Sequence, residues 1–476
     1  LAPQPEKTTM IPTSPAAHTP TGRPAAVHSA WRGAPRDLLL LAVIVVGYLV
    51  IGSLYAARTP PWQVPDEPAH YNYVAQVAWV GLPVLEAGDW DSAYLERIKA
   101  AGFRADAPEG RLDTIQYEDH QPPLYYLLAS VIYRLFNGAL LPLRLFSLAI
   151  GSLTVLVAFA TVRRIFPAQG YLALGTAAVV AFVPQHLAMM GGVNNDCLTE
   201  LIVGLGVYGG VRLVTGGAGL LVGRYAALLG LILGLGFITK ATAYSLIFIV
   251  GAALLLRAQR DHTRPAQVIR WIGIAAVPAL ILGGAWWLRN IDVYGFPDIL
   301  GLIRHGVVVV GQPRTAEIIA QRGFGGYLAT AIQTSFQSFW GQFGWMGVVL
   351  PRQIVDALVI ANTFLLMGAS VAFVQFRALV SPAQRDGLLL LGLSAGLALA
   401  LFVYYNLEFA QWQGRYTYTG LIAFGFYFTA ALVGWASLVR PKAARWVLIT
   451  GGAALLAFFA VYALFRILIP NLPLVG

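Results

Sequence analysis

Of the chain's 476 residues, 58% are hydrophobic and only 11% charged, where a soluble domain carries about 25% charged. That balance excludes a water-soluble globular enzyme, and the lack of short period-2 alternation excludes an outer-membrane barrel. The net charge of +10 is not a nucleic-acid footprint, because the basic residues gather in short loops between apolar runs. The single Cys197 excludes an internal disulfide framework.

Residues 1–36 are rich in Pro, Thr and Ala, with Lys7, Arg23, Arg32 and Arg36 against Glu6 alone. They read as a disordered cytosolic tail. The apolar run that follows has no small-residue cleavage site, so it is a span and not a signal peptide. Spans are expected at 38–57, 141–162, 170–190, 197–216, 220–239, 242–257, 269–288, 352–376, 387–405, 418–438 and 446–468, with 242–257 the short one. The segment 122–138 opens on two prolines and reaches Arg134 after a short apolar run. If it crossed, every later basic loop would be exported. If it lies in the interface, Arg163, Arg164, Arg212, Arg224, the 257–270 loop, Arg377, Arg385, Arg440, Lys442 and Arg445 all share the cytosolic side with the tail. The sequence therefore predicts an all-α polytopic bundle of about eleven transmembrane helices over 37–470, with short interfacial helices in its outer loops and no separate C-terminal soluble domain.

The outer side then receives a first loop at 58–140, which holds half of the chain's 22 acids, and a lid-like loop at 291–350. The acids from Glu86 to Asp113, Asp106 and Glu109 among them, read as solvation. Asp66 and Glu67 differ, because they sit between Pro65 and Pro68 where the chain leaves the membrane. From Glu67 on, His70, Tyr73 and Val74 fall at helical spacings, so a surface helix begins here. Asp66 could simply cap that helix, or it could be a carboxylate held to take a proton from an acceptor.

After Gly191 and Gly192, Asn194, Asn195 and Asp196 gather at the same side, with Glu200 one turn further inside the membrane. Either they cap the next helix, or Asp196 is a second functional acid. Lys240, Arg289 with Asn290, and Arg415 with Tyr416 sit at outer helix ends, against the positive-inside trend. An anionic ligand is one reason for such cations, and snorkelling to headgroups is the other. The second half of the 291–350 loop is aromatic and glycine-rich, which suits either a cover over a lipidic substrate or a structural lid.

PDEPAH at 65–70, HQPPLYY at 120–126, RLFSLAIG at 144–151, NND at 194–196, FITK at 237–240, WWLRN with the following YG at 286–295 and QGRY at 413–416 together resemble the polytopic glycosyltransferases of the GT-C superfamily. These include the aminoarabinose transferases, the protein O-mannosyltransferases and the bacterial families known as the DUF2142 type. The resemblance implies a GT-C-like bundle in a bacterial cytoplasmic membrane, N-terminus inside. It also implies transfer of a sugar from a polyprenyl-phosphate-linked donor to a protein, lipid or glycan acceptor at the outer face. By that likeness Asp66 is the general base, Asp196 the second acidic position and His120 part of a histidine–proline signature, where Gln121 departs from the usual residue.

Asp66, Glu67 and Asp196 are thus the candidate catalytic residues. His70, His120, Lys240, Arg289, Asn290, Arg415 and Tyr416 are the candidates for the substrate and its phosphate. A divalent metal ion is compatible with Asp66, Asp196 and His120, and no nucleotide or nucleic acid is expected. Two other readings stay open, a transporter or flippase for a lipid-linked sugar and a silent accessory subunit. The first predicts inverted repeats and midplane polar residues, whereas the polar residues here gather at the outer helix ends.

Overall fold

The computed structural model describes residues 34–103, 111–217, 219–439 and 443–472. Residues 1–33 of the expected tail, Asp106, Glu109, Arg440 and Lys442 lie outside the described residues. In chain order the helices are α1 (Ala34–Arg58), α2 (Glu67–Trp79), α3 (Ser92–Ala100), α4 (Leu124–Leu135), α5 (Leu140–Ile165), α6 (Gly170–Phe182), α7 (Pro184–Met190), α8 (Asp196–Val214) and α9 (Val222–Phe237). They continue with α10 (Leu246–Arg260), α11 (Pro265–Tyr294), α12 (Leu302–Val308), α13 (Thr315–Trp340), α14 (Arg352–Phe376), α15 (Pro382–Glu408), α16 (Leu421–Ser437) and α17 (Ala444–Tyr462). A two-stranded hairpin, β1 (Gln342–Phe343) with β2 (Val348–Val349), separates α13 from α14.

Among the described residues, nine helices are long and apolar enough to cross a membrane, or ten if the bent pair α6 and α7 forms one span. Val183 breaks that pair by 63° ahead of Pro184, which cannot donate to the preceding turn. The path expected from sequence holds, with a correction in detail. The short helix is α9, at 16 residues, whereas α10 joins the turn before it in a 20-residue span from Ala241. A side chain on α9 at Gly230 would meet the carbonyl of Ala275 at 2.0 Å, so glycine sets how closely α9 approaches α11.

Ion pairs mark the two ends of the bundle. At one end Arg163 pairs with Asp37 at 3.0 Å and Arg260 with Asp386, and Arg164 and Arg257 donate to the turn after α8. The basic loops therefore do share one end. At the other end lie the first loop, the loop before α8 and the turn before α16, joined by Arg415–Asp66 and Lys240–Asp196. Large apolar side chains remain exposed around the periphery, for example Ile281 and Leu288 on α11, Ile360 and Leu366 on α14 and Leu455 on α17, as a lipid-facing surface requires.

The segment 122–138 forms the 12-residue α4, too short to span. It buries Tyr125, Tyr126 and Ala129 and exposes Leu127, Leu128, Val131 and Leu135, the two-faced pattern of an interfacial helix. It packs on α2, where Tyr73 and Tyr126 stack with centroids 3.6 Å apart. The loops at this end have their own small apolar core, in which Tyr94, Leu95 and Ile98 of α3 and Tyr117 meet Val308 and Val309.

What fixes the first loop is Arg144 on α5. It is buried, and its guanidinium holds both oxygens of the fully buried Glu67 carboxylate at 2.7 and 2.6 Å. Its remaining N–H groups donate to the carbonyls of Ala56, Thr59 and Pro60 at 2.8, 2.7 and 3.1 Å. Glu67 also accepts from the backbone of Trp62 and Val193 at 3.0 and 3.2 Å. One clamp thus fastens the end of α1, the start of α2 and the approach to α8. Arg144→Met leaves Glu67 buried without its counter-ion and is expected to destabilise the protein by about 3–5 kcal/mol, read from thermal unfolding in detergent. Pairing it with Glu67→Leu is expected to recover part of that loss, and equal melting of Arg144→Met and wild type would contradict the role.

Candidate active site

Asp66 stands at the start of α2 with φ 67°, a left-handed conformation that a non-glycine residue adopts at a cost of roughly 1–3 kcal/mol. Its side chain does not cap the helix. It turns the other way, where one oxygen accepts from the Tyr117 hydroxyl at 2.9 Å and the other from Nη2 of Arg415 at 2.7 Å. Burial pushes this carboxyl up, but the Arg415 guanidinium, His70 and the Tyr117 hydroxyl outweigh it and hold Asp66 below the ordinary carboxylate range.

Arg415 arrives on the turn before α16, and α13 holds that turn. Gly414 lies so close to α13 that a side chain there would meet the Ser335 carbonyl at 2.3 Å. Its N–H donates to the Ser338 hydroxyl at 2.7 Å, and the Tyr418 hydroxyl donates to the Phe339 carbonyl at 2.7 Å. The Arg415 guanidinium is buried, with Nε on Gln413 at 2.6 Å, Nη1 facing the Met189 sulfur at 3.8 Å and the Tyr416 ring 5.0 Å away. The 291–350 segment is therefore bolted to the site through Arg415.

A second pair stands beside the first. Lys240, in extended backbone between α9 and α10, donates to Asp196 at 2.5 Å and to the Asn195 amide oxygen at 2.9 Å. Asn195 precedes α8 but does not cap it. Its amide nitrogen reaches Gln121 and the Tyr126 hydroxyl at 3.4 and 3.3 Å, and that hydroxyl bonds Nδ1 of His70 at 2.8 Å. Asp196 feels Arg415 and His70 as well as Lys240, so the two pairs form one electrostatic unit. The side chains of Asp66 and Asp196 are each 26% accessible, and Lys240 is 20% accessible, which leaves a ligand a way in.

The histidine–proline loop closes this unit from the first loop. His120 Nδ1 donates to the Tyr117 carbonyl at 3.2 Å, and its ring packs on His305 of α12 with centroids 4.3 Å apart. Burial pushes His120 down to about 4 and His305 down to about 3. Burial also pushes Asp119 up to about 8, although Gln76 donates to it at 2.8 Å. Glu118 is raised by burial and by Asp66, against the pull of His70 and Lys240.

The structure thus brings together Asp66, His70, Asp196, Lys240, Arg415 and Tyr416, with His120 beside them. Three residues named from sequence are not part of this group. Glu67 belongs to the Arg144 clamp. Arg289 donates to the Pro83 carbonyl and to Asn290 at 3.0 Å, with its guanidinium over Trp286 and Tyr294. Asn290 donates to the Ile299 carbonyl at 3.0 Å. The last two brace the end of α11 against the loops on either side. Glu200 is paired with His186 at 2.9 Å inside the bundle.

Nor do Asp66, Asp196 and His120 converge as metal ligands. Arg415 and Tyr117 occupy Asp66, Lys240 occupies Asp196, and among the described residues no three His, Cys, Asp or Glu are placed to hold an ion. Tyr117, Tyr126 and Arg144 were missed, and Gln121 was noted only as a departure from the usual residue. Arg144 carries the same signal as Lys240 and Arg415, a cation at the same end of a helix.

Residues 120–287 match the family model of dolichyl-phosphate-mannose-protein mannosyltransferases. No curated protein sequence matches the chain. Among solved structures, the apo aminoarabinose transferase ArnT of Cupriavidus metallidurans superposes with a TM-score of 0.50 at 16% identity, over 92% of this chain and 74% of that one. The chain has the fold of the GT-C membrane glycosyltransferases. Two further GT-C structures align less well. One is the same ArnT bound to undecaprenyl phosphate, with a TM-score of 0.47, 16% identity and the same coverage. The other is the Archaeoglobus fulgidus oligosaccharyltransferase AglB with an inhibitory peptide and a dolichol-phosphate, with a TM-score of 0.48 and 13% identity over 94% of this chain and 57% of that one.

Neutral histidines packed ring against ring make a prediction about pH. Both fold with their pKa below the unfolded value of about 6.5, so the unfolded chain binds protons that the folded one refuses. Stability is expected to be full above that value and to fall as pH drops from about 6.5 towards 4. His305→Phe keeps the ring contact and removes one titration, so its melting temperature should fall less between pH 7 and pH 5 than that of wild type. An equal fall would show that burial does not hold the His305 pKa below its unfolded value.

Proposed function

We propose that this protein transfers a sugar from a polyprenyl-phosphate-linked donor to a hydroxyl or amine acceptor at the outer face of the bacterial cytoplasmic membrane. The observation that carries the reading is the double ion pair Asp66–Arg415 and Lys240–Asp196 at one end of the bundle, partly open. It is supported by the GT-C fold, by the mannosyltransferase match over 120–287 and by the capture of undecaprenyl phosphate in crystals of ArnT, whose apo form shares the fold.

The chemistry such a site supplies follows from its charges. The donor's leaving group is a phosphate, which departs as an anion and needs little help from a general acid. Arg415 and Lys240 offer it positive charge in a setting of low dielectric, where fixed cations act more strongly than in water. Asp66 takes the acceptor proton as the acceptor oxygen or nitrogen attacks the anomeric carbon and the carbon–oxygen bond to phosphate breaks. A single displacement inverts the anomeric centre. His70, tied to Tyr126, and Asn195 line the space between the two pairs and orient the sugar. Asp196 holds Lys240 in place. The polyprenyl chain lies along the apolar periphery, and α13 with its hairpin covers the head group.

The test is transfer by purified protein from a panel of polyprenyl-phospho sugars in the presence of membrane extract, followed as release of polyprenyl phosphate. Asp66→Asn is expected to lower turnover by about 10²–10⁴-fold. Lys240→Met and Arg415→Gln are expected chiefly to raise KM for the donor, while Arg289→Gln leaves the chemistry near wild type. Chelation is expected to leave the rate unchanged, because the acids are already paired with cations. Full turnover by Asp66→Asn would overturn the assignment of the base, and release from no donor would overturn the reading as a whole.

A further inference from the structure

The pairing that assembles the site also blocks it. Asp66 is the proposed base, yet it is the chief partner of the guanidinium that the donor phosphate needs. Of the Arg415 nitrogens, Nε is taken by Gln413, Nη1 faces only the Met189 sulfur, and Nη2 is held by Asp66 at 2.7 Å. A phosphate seated on the edge between Nη1 and Nη2, where a guanidinium binds two oxygens at once, meets the Asp66 carboxylate already there. Lys240 is less committed. An ammonium has three donors, and Asp196 and Asn195 use two of them.

The charges agree with the geometry. The two cations and two carboxylates sum to zero before any ligand arrives. A phosphodiester donor brings one negative charge. The released phosphate monoester approaches two, since its second ionisation lies at about 6.

We infer that Asp66 occupies the anion seat on Arg415 when no donor is bound, and that the donor phosphate takes that seat and sets the carboxylate free to act as base. This rests on the function proposed above and deepens it. The base is masked until the leaving group is in place, so water and stray acceptors are not deprotonated at an empty site. Freed from Arg415, the carboxylate keeps Tyr117, a neutral donor, and becomes a better proton acceptor. The strained φ of Asp66 fits a residue held by its partners and able to relax when one is withdrawn. After transfer the acceptor proton sits on Asp66, the phosphate holds both cations, and loss of the proton lets the carboxylate compete for Arg415 again and help expel the product.

The inference separates binding from turnover in opposite directions. Undecaprenyl phosphate in detergent micelles is the probe, with affinity measured by titration calorimetry on the full chain. Asp66→Asn and Asp66→Ser both remove the competing charge, and each is expected to bind on the order of tenfold more tightly than wild type while turnover falls by about 10²–10⁴-fold. Two variants are used so that misfolding of one leaves the other. Glu118→Gln is the control, since it removes a carboxylate from the same electrostatic cluster without freeing Arg415, and it should tighten binding far less. Unchanged or weaker binding by both Asp66 variants, or equal tightening by Glu118→Gln, overturns the exchange and leaves the transferase reading standing. Absence of binding by wild type overturns the transferase reading and the exchange with it.

Discussion

A carboxylate and a guanidinium 349 positions apart in the chain, Asp66 and Arg415, hold the two halves of this site together. Charges near a membrane boundary are costly to desolvate, and each of these two is tolerable because the other is there. The bundle is arranged to make that meeting possible. Arg144 and Glu67 fasten the chain where it leaves α1 and force the turn that presents Asp66. On the other side α13 pins the turn that presents Arg415. Lys240 and Asp196 repeat the arrangement one helix away, so the site is a set of compensated charges built at one end of an apolar body.

The architecture was legible because the bilayer imposes a length and a charge asymmetry that sequence states directly. The order of the apolar helices, the short α4 and the gathering of Asp66, Asp196, Lys240 and Arg415 at one end all follow from apolar run lengths and the side on which arginines fall. Parity did the decisive work. One further crossing at 122–138 would have sent Asp66 to the end opposite Asp196, Lys240 and Arg415.

Pairing was less legible, because it depends on direction as well as side. Asp66 and Glu67 are neighbours beside the same prolines, and sequence offered no reason to divide their roles. The left-handed turn at Asp66 sends its side chain outward to Arg415, and the next residue points inward to Arg144. Arg289 and Arg415 likewise give one signal and serve different ends. The first is absorbed by the carbonyl of Pro83 and the faces of two aromatic rings. The metal candidates Asp66, Asp196 and His120 were ambiguous for the same reason, since sequence does not show their partners: here Arg415 and Lys240 pair with the two acids, and the Tyr117 carbonyl accepts from His120.

The central claim is that one end of this bundle is a phosphate seat with a base beside it. The most direct measurement is a cryo-EM structure of the wild-type chain with undecaprenyl phosphate. Phosphate density is expected within hydrogen-bonding distance of both Arg415 and Lys240, with the Asp66 side chain turned away from the guanidinium. Phosphate bound at the opposite, arginine-rich end, or bound with Arg415 and Lys240 still fully paired to their carboxylates, would contradict it.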